Sequence, residues 1–326
     1  MTTSASWDYS LTATQIINAA MEDIGVLAAG ETLSSEDQTL ALTRLNLLVK
    51  QFQGQSDMGQ SLKVWTRQRV TLFLAKGQQT YTIGPAATDS RATTQYGRTT
   101  ISANEAIGQT VLSITSNTDT VTYPGTTVTM TASDIVGIQL NDGTIQWSTI
   151  SGTPSSTMTI ADSLTVASNA GKYVWWFTSR AQRFPMIESA LLRDKDRNDT
   201  TIAIYREVGE YEGLLNKEAQ GDATAILVEP LRLNTRITLD AQPTDVTKQL
   251  RLTVLYPAED YDSATNDIAF PQEWLAALEW ELAFRCAPAF GRQWTPDMEA
   301  NHSRALLMAQ QLNPENSSAY FQPGKE

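Results

Sequence analysis

Near the N-terminus the apolar residues recur with helical spacing: Ile16, Ile17, Ala20 and Ile24 share one face, and Gly25 follows. Thr12 with Gln15 has the form of a capping box, so the pattern predicts a first helix that stops at Gly25. A second helix is opened by Ser34 with Asp37, or by Ser35 with Gln38. Ala41, Leu45, Leu48, Val49 and Phe52 line its apolar side, Leu40 and Leu47 form a weaker second seam, and Gly54 ends it. The short connection predicts that these two helices pack antiparallel as a hairpin.

Beyond Val64 the period shortens. RVTLFLAKGQQTYTIG alternates and turns at Lys76 and Gly77, which predicts a β-hairpin, and PAATDSRATTQYG reads as a linker into a different unit. From Thr99 to Phe177 short runs rich in Thr, Ser, Val and Ile are separated by turn residues, as in an all-β module. Its clearest segment is IVGIQLNDGTIQWSTI. Asp142 and Gly143 suit a two-residue type I′ turn, which sets Leu140 opposite Ile145, Ile138 opposite Trp147, Val136 opposite Thr149 and Gln139 opposite Gln146. Further strands are predicted at TTIAIYREV, ATAILVEPL, TRITLDA and LRLTVLYP, with GEYEGLLNK as a short helical turn among them, and these extend the sheet begun at Val70.

The C-terminal part returns to helical spacing. In FPQEWLAALEWELAFRCAPAFG, Pro271 lies in the first turn and Gly291 after the last. Trp274, Leu275, Leu278 and Leu282 fall on one face of that helix, and Ala277, Trp280 and Phe284 fall on another. Thr295 and Pro296 start a last helix through Met298, Ala305, Ala309 and Leu312, and the tail NPENSSAYFQPGKE has no period. The expected class is α+β. Its parts are a helical hairpin over 1–66, a β-hairpin over 67–90, an inserted β-module over 91–177, a central β domain over 178–262, C-terminal helices over 263–312 that complete a bundle with the first two, and an extended tail over 313–326.

Composition narrows the chemistry. The 326 residues carry a net charge of -12, which argues against a protein that grips nucleic acid, because phosphate binding draws on clustered Lys and Arg. The N-terminus lacks a signal-peptide pattern and no apolar run is long enough to span a bilayer, so a soluble protein made in the cytoplasm is expected. Cys286, the only cysteine, sits in an apolar helix and reads as a buried, inert thiol. His302, the only histidine, excludes a multi-histidine metal site and reads as packed against its helix. DKDRND imitates the start of a calcium loop, but Asp199 and Tyr205 stand where glycine and a bidentate carboxylate are needed, which leaves an acidic turn. No nucleophile elbow, phosphate loop or zinc-protease motif is present, and no cofactor is implied. Glu22 with Asp23 and Glu279 with Glu281 are the carboxylate pairs that glycoside cleavage would use, and both read as solvated surface.

A helix apolar on two sides is buried on two sides. A neighbouring subunit is the preferred cover for Trp280 and Phe284, and the β-sheet of the same chain is the alternative. TATQIINAAMEDIGVLAAGETLSSEDQTLALTRLNLLVKQFQ, KVWT, EYEGLLNK and LRLTVLYPAEDYDSATNDIAFPQEWLAALEWELAFRCAPAFG, in that order, resemble the head-to-tail adaptor (tail accessory factor) family of short-tailed bacteriophages. The β-module is similar to an insertion carried by larger members. The resemblance implies a non-enzymatic virion protein at the head-tail connector. It would form a dodecameric ring beneath the portal protein, extend the DNA channel, retain the packaged genome and receive the tail nozzle or other tail proteins. Genomic DNA would pass through the lumen without sequence-specific binding, and no membrane would be involved. In that setting Trp280 and Phe284 would lie at the subunit interface, and Tyr320 and Phe321 on a tail that binds the portal. Two rival classes remain: a peptidoglycan-degrading enzyme, and a β-module that binds a host surface.

Overall fold

A computed structural model describes residues 9–28, 30–54, 67–87, 89–256, 258–268 and 270–311. The chain is α+β and divides into two compact units, Met1–Thr66 with Pro257–Glu326, and Arg67–Tyr256.

The first unit holds the long helices. In α1 (Ala13–Asp23) the capping box is formed: the Gln15 amide donates to Thr12 Oγ1 at 3.3 Å and the Thr12 amide to Gln15 Oε1 at 2.9 Å. Ser34 caps α2 (Ser35–Gly54) by accepting from the Asp37 amide at 3.2 Å. The apolar stripes of both helices are buried, while Leu40 and Leu47 remain exposed. Pro271 precedes a single 3-10 turn, Gln272–Trp274, that runs into α4 (Leu275–Cys286), and Gly291 closes the segment after it with φ +64°. Another helix, Pro296–Gln311, completes this unit. The helical hairpin expected from the N-terminal sequence is not the dominant contact: α1 and α2 each pack more extensively on α4 than on one another. Leu275, Ala277, Leu278 and Leu282 are wholly buried or nearly so, which explains why α4 is central. Segment 258–268 ties the ends of the chain together. The Ala13 amide donates to the Asn266 carbonyl, Ile268 to Leu11, and Asn46 exchanges two hydrogen bonds with the Tyr261 backbone.

The second unit is built on an eight-stranded sheet. Its strands are β1 (Arg67–Phe73), β2 (Thr80–Ile83), β3 (Ala92–Thr93), β12 (Met186–Arg193), β13 (Asp199–Tyr205), β14 (Ala225–Pro230), β15 (Thr235–Leu239) and β16 (Gln249–Leu255), in the order β2-β15-β14-β13-β12-β16-β1-β3. The four strands expected to extend the sheet from Val70 do so, and the short helix α3 (Val208–Glu212) lies in the connection that brings β14 parallel to β13. The hairpin expected over 67–90 is corrected. β1 pairs with β16 and β3, and β2 pairs with β15 at the other end of the order. Strands six places apart in a flat sheet stand about 29 Å apart, whereas residues 74–79 reach at most about 25 Å. The sheet therefore curls until its ends nearly meet, around a core that includes Val70, Leu72, Ile226, Ile237 and Leu252. Tyr81 Oη holds the connection by accepting from the Ala75 amide at 3.0 Å and donating to the Gln78 carbonyl at 2.8 Å.

A six-stranded sheet, β4-β11-β8-β9-β10-β5, comprises β4 (Gly97–Thr100), β5 (Val111–Ser113), β8 (Ile135–Gln139), β9 (Ile145–Ser151), β10 (Thr157–Ile160) and β11 (Tyr173–Phe177), with β6 (Thr118–Asp119) and β7 (Val128–Thr129) paired beside it. Here the expected register is wrong by one residue. Gly137 faces Trp147, Ile138 faces Gln146, and Val136 faces Ser148. The Leu140 amide bonds to the Thr144 carbonyl and only Gly143 in the loop has positive φ (+81°), so the turn is a three-residue loop with glycine in the left-handed position. The shift sends Val136, Ile138 and Leu140 into the module's own core and Trp147 to the opposite face, where it packs 5.3 Å from Phe73 of β1. Glycine is required opposite it, because a Cβ at Gly137 would lie 2.8 Å from the indole. Phe73, Tyr96, Ile135, Trp175 and Phe177 form the buried joint between the two sheets.

Candidate functional site

Helix α4 carries the residues singled out in the sequence. Trp280 is half-buried and Phe284 is 43% exposed. Trp294 and His302 of the C-terminal segment cluster with them. Phe284 stacks on His302 with ring centroids 5.5 Å apart and meets Trp294 edge-on at 5.2 Å, and Trp294 meets Trp280 at 6.4 Å. The arrangement is braced from behind. His302 Nε2 lies 2.6 Å from Glu281 Oε2, Glu281 Oε1 accepts from Arg285 Nε at 3.2 Å, and Arg285 Nη2 donates to Gln51 Oε1 at 2.5 Å. Trp294 Nε1 donates to Glu299 Oε2 at 2.8 Å. Arg44 reaches the Arg285 carbonyl. His302 is thus packed, as its sequence setting suggested, and it serves as one wall of an aromatic surface fixed at every member yet left partly open.

Glu281 therefore does not converge with Glu279, nor Asp23 with Glu22. The structure couples carboxylates across helices: Asp23 at the end of α1 and Glu279 of α4 each shift the other's titration. Burial, with the Asp23 charge and the nearby Glu22, pushes the Glu279 carboxyl up to about 7, and burial likewise raises Asp23. The pair fits a shared proton at a helix contact. Cys286 is buried with its thiol pushed up to about 11 by desolvation. In the DKDRND turn Asp194 accepts from the Asp196 and Asn198 amides and from Asn198 Nδ2, which uses the carboxylate locally.

Trp294 was not legible as a member of the site, because it lies outside any periodic segment. The one available signal was the i,i+4 spacing of Glu281 and Arg285 beneath Phe284. Tyr320 and Phe321 lie outside the described residues. Among the described residues no group of three or more His, Cys, Asp and Glu side chains is placed to hold a metal, and no helix is long and apolar enough to cross a membrane. No model of a known protein family and no curated protein matches the chain.

Proposed function

We propose that this protein is a structural adaptor that assembles into a closed ring through head-to-tail contacts, in the manner of the phage head-to-tail adaptors its sequence resembles. The observation that carries the reading is the aromatic surface on α4. A phenyl ring 43% exposed, flanked by Trp294 and His302, with Trp280 behind Trp294, and braced by a hydrogen-bonded network, is preorganised for contact with another protein. In this reading α1, α2, α4 and the C-terminal helix act as one bundle that presents Phe284 to the neighbouring subunit, and a ring of such contacts closes only if they are heterologous. The net charge of -12 suits the wall of a channel through which DNA slides without adhering. Portal protein above and tail proteins below are the proposed partners, with the C-terminal tail, including Tyr320 and Phe321, as the arm toward the portal.

Quantitative mass spectrometry of purified virions tests the proposal. Copy numbers equal to those of the portal protein support a ring stacked upon it, and absence from the particle sinks the reading. Native mass spectrometry of the Phe284→Asp variant tests the surface itself: the folded chain is expected to remain, and the ring to be lost.

A further inference from the structure

A second site lies on the other unit, independent of the ring. The face of the eight-stranded sheet opposite its core carries Arg69 of β1, Arg251 of β16 and Arg193 of β12. Arg251 stands opposite Thr71 and Leu191, two residues from Arg69 and from Arg193 on the neighbouring strands, so the three lie diagonally adjacent. Arg197, from the turn joining β12 to β13, and Arg98 of β4 complete the group. Arg98 Nη1 donates to the Lys195 carbonyl of that turn at 3.0 Å. Burial raises the Tyr96 hydroxyl, and the charges of Arg251, Arg98, Arg193 and Arg197 each offset that rise, so all four contribute to one positive field.

Of the surrounding carboxylates, Asp199 neutralises Arg193 alone and the others are engaged by backbone amides and local side chains. Asp199 is held by Arg193 through two hydrogen bonds of 2.6 and 2.5 Å. Asp119 accepts from the Arg98, Val121 and Thr122 amides, and Asp194 is used within its turn. Arg251 is half-buried and has no hydrogen-bond or ion-pair partner among the described residues, and Arg197 Nη2 is buried without a hydrogen-bond partner. Guanidiniums do not shed their protons, so desolvated charges of this kind call for an anion. The backbone adds a separate observation. The turn at 194–198 repeats the geometry of the turn at 140–144: the Asp194 amide bonds to the Asn198 carbonyl as Leu140 does to Thr144, and the third loop residue is left-handed. In one turn that residue is Gly143 (φ +81°); in the other it is Arg197 (φ +70°). Glycine would relieve the strain, and arginine stands there instead.

We propose that Arg98, Arg193, Arg197 and Arg251 form a binding site for a phosphate group, supplied either by free inorganic phosphate or by the phosphodiester backbone of nucleic acid. Guanidinium forks match phosphate oxygens, and Arg251 and Arg197 have the donors free to take them.

The test uses the full chain, titrated calorimetrically with inorganic phosphate in a background of constant ionic strength. Saturable binding is expected, weakened at least about tenfold in Arg251→Gln. Arg197→Gly separates the site from the fold: its melting temperature is expected to hold or rise while phosphate binding is lost. Phosphate heats no different from those of chloride, or binding unchanged in both variants, overturns the site. A short DNA duplex, followed by anisotropy, then identifies the source. Binding that inorganic phosphate competes away assigns the phosphodiester, and phosphate binding without duplex binding assigns the free ion.

Discussion

Two aromatic clusters in this molecule are built alike and finished differently. Around Phe73, which is 2% exposed, Tyr96, Trp147, Trp175 and Phe177 pack with ring centroids 5.2 to 6.0 Å away, closing the joint between the two sheets. Around Phe284, which is 43% exposed, Trp294 and His302 pack at similar distances, with Trp280 behind Trp294, and the cluster stops there. The first has spent its apolar area on folding. The second leaves part of its apolar area uncovered, which is the area the proposed ring would use. Packing geometry alone does not tell a core from an interface; what remains uncovered does.

The comparison breaks most readily at Phe73. Phe73→Ala is expected to cost about 3 to 5 kcal/mol in denaturant unfolding, since it empties the centre of a saturated joint. A value under about 1 kcal/mol would mean that the two sheets do not depend on it. Gly137→Val drives a side chain into the Trp147 ring and is expected to cost about 1 to 3 kcal/mol, with a red shift in tryptophan emission as the indole is displaced.

Next to the open cluster, Glu279 provides a pH test. Its folded carboxyl titrates at about 7 against an ordinary value of 4.5, so the folded chain holds a proton that the unfolded chain has released. The contribution of this group to stability is therefore fully present below about pH 4.5 and is lost as pH rises through 7. Discounted for solvent screening, the loss between pH 5 and pH 8 is expected to be about 1 kcal/mol, read as a drop in melting temperature that Glu279→Gln flattens. Phe284→Ala is expected to change the stability of the isolated chain least, by under about 1 kcal/mol, while weakening self-association. If it instead destabilises the chain as Phe73→Ala does, the two clusters are the same kind of core.

Much of the fold was legible from local chemistry. Thr12 with Gln15 and Ser34 with Asp37 announced helix starts, the stripes from Ile16 and Ala41 announced buried faces, and LRLTVLYP announced a strand. At the candidate site, the second apolar face of α4 was visible in the spacing of Trp280 and Phe284, but not its cover. Trp294 belongs to no periodic run, so only the return of the chain onto α4 could place it.

The sequence by itself determined most of the helices and strands and which residues are apolar on each, because caps, turns and periodicity act over a few residues; β12, between β13 and β16, was not among the strands it announced. Tertiary structure alone decided the partners. β1 and β2 have the turn of a hairpin yet pair elsewhere, β1 with β16 over seven residues and β2 with β15 over four. Trp147 shifted the register of its hairpin to reach Phe73, some seventy residues earlier in the chain. Glu279 found Asp23 across a helix contact rather than Glu281 two residues away. Each of these choices compares burial of groups distant in sequence, and no local pattern holds that comparison.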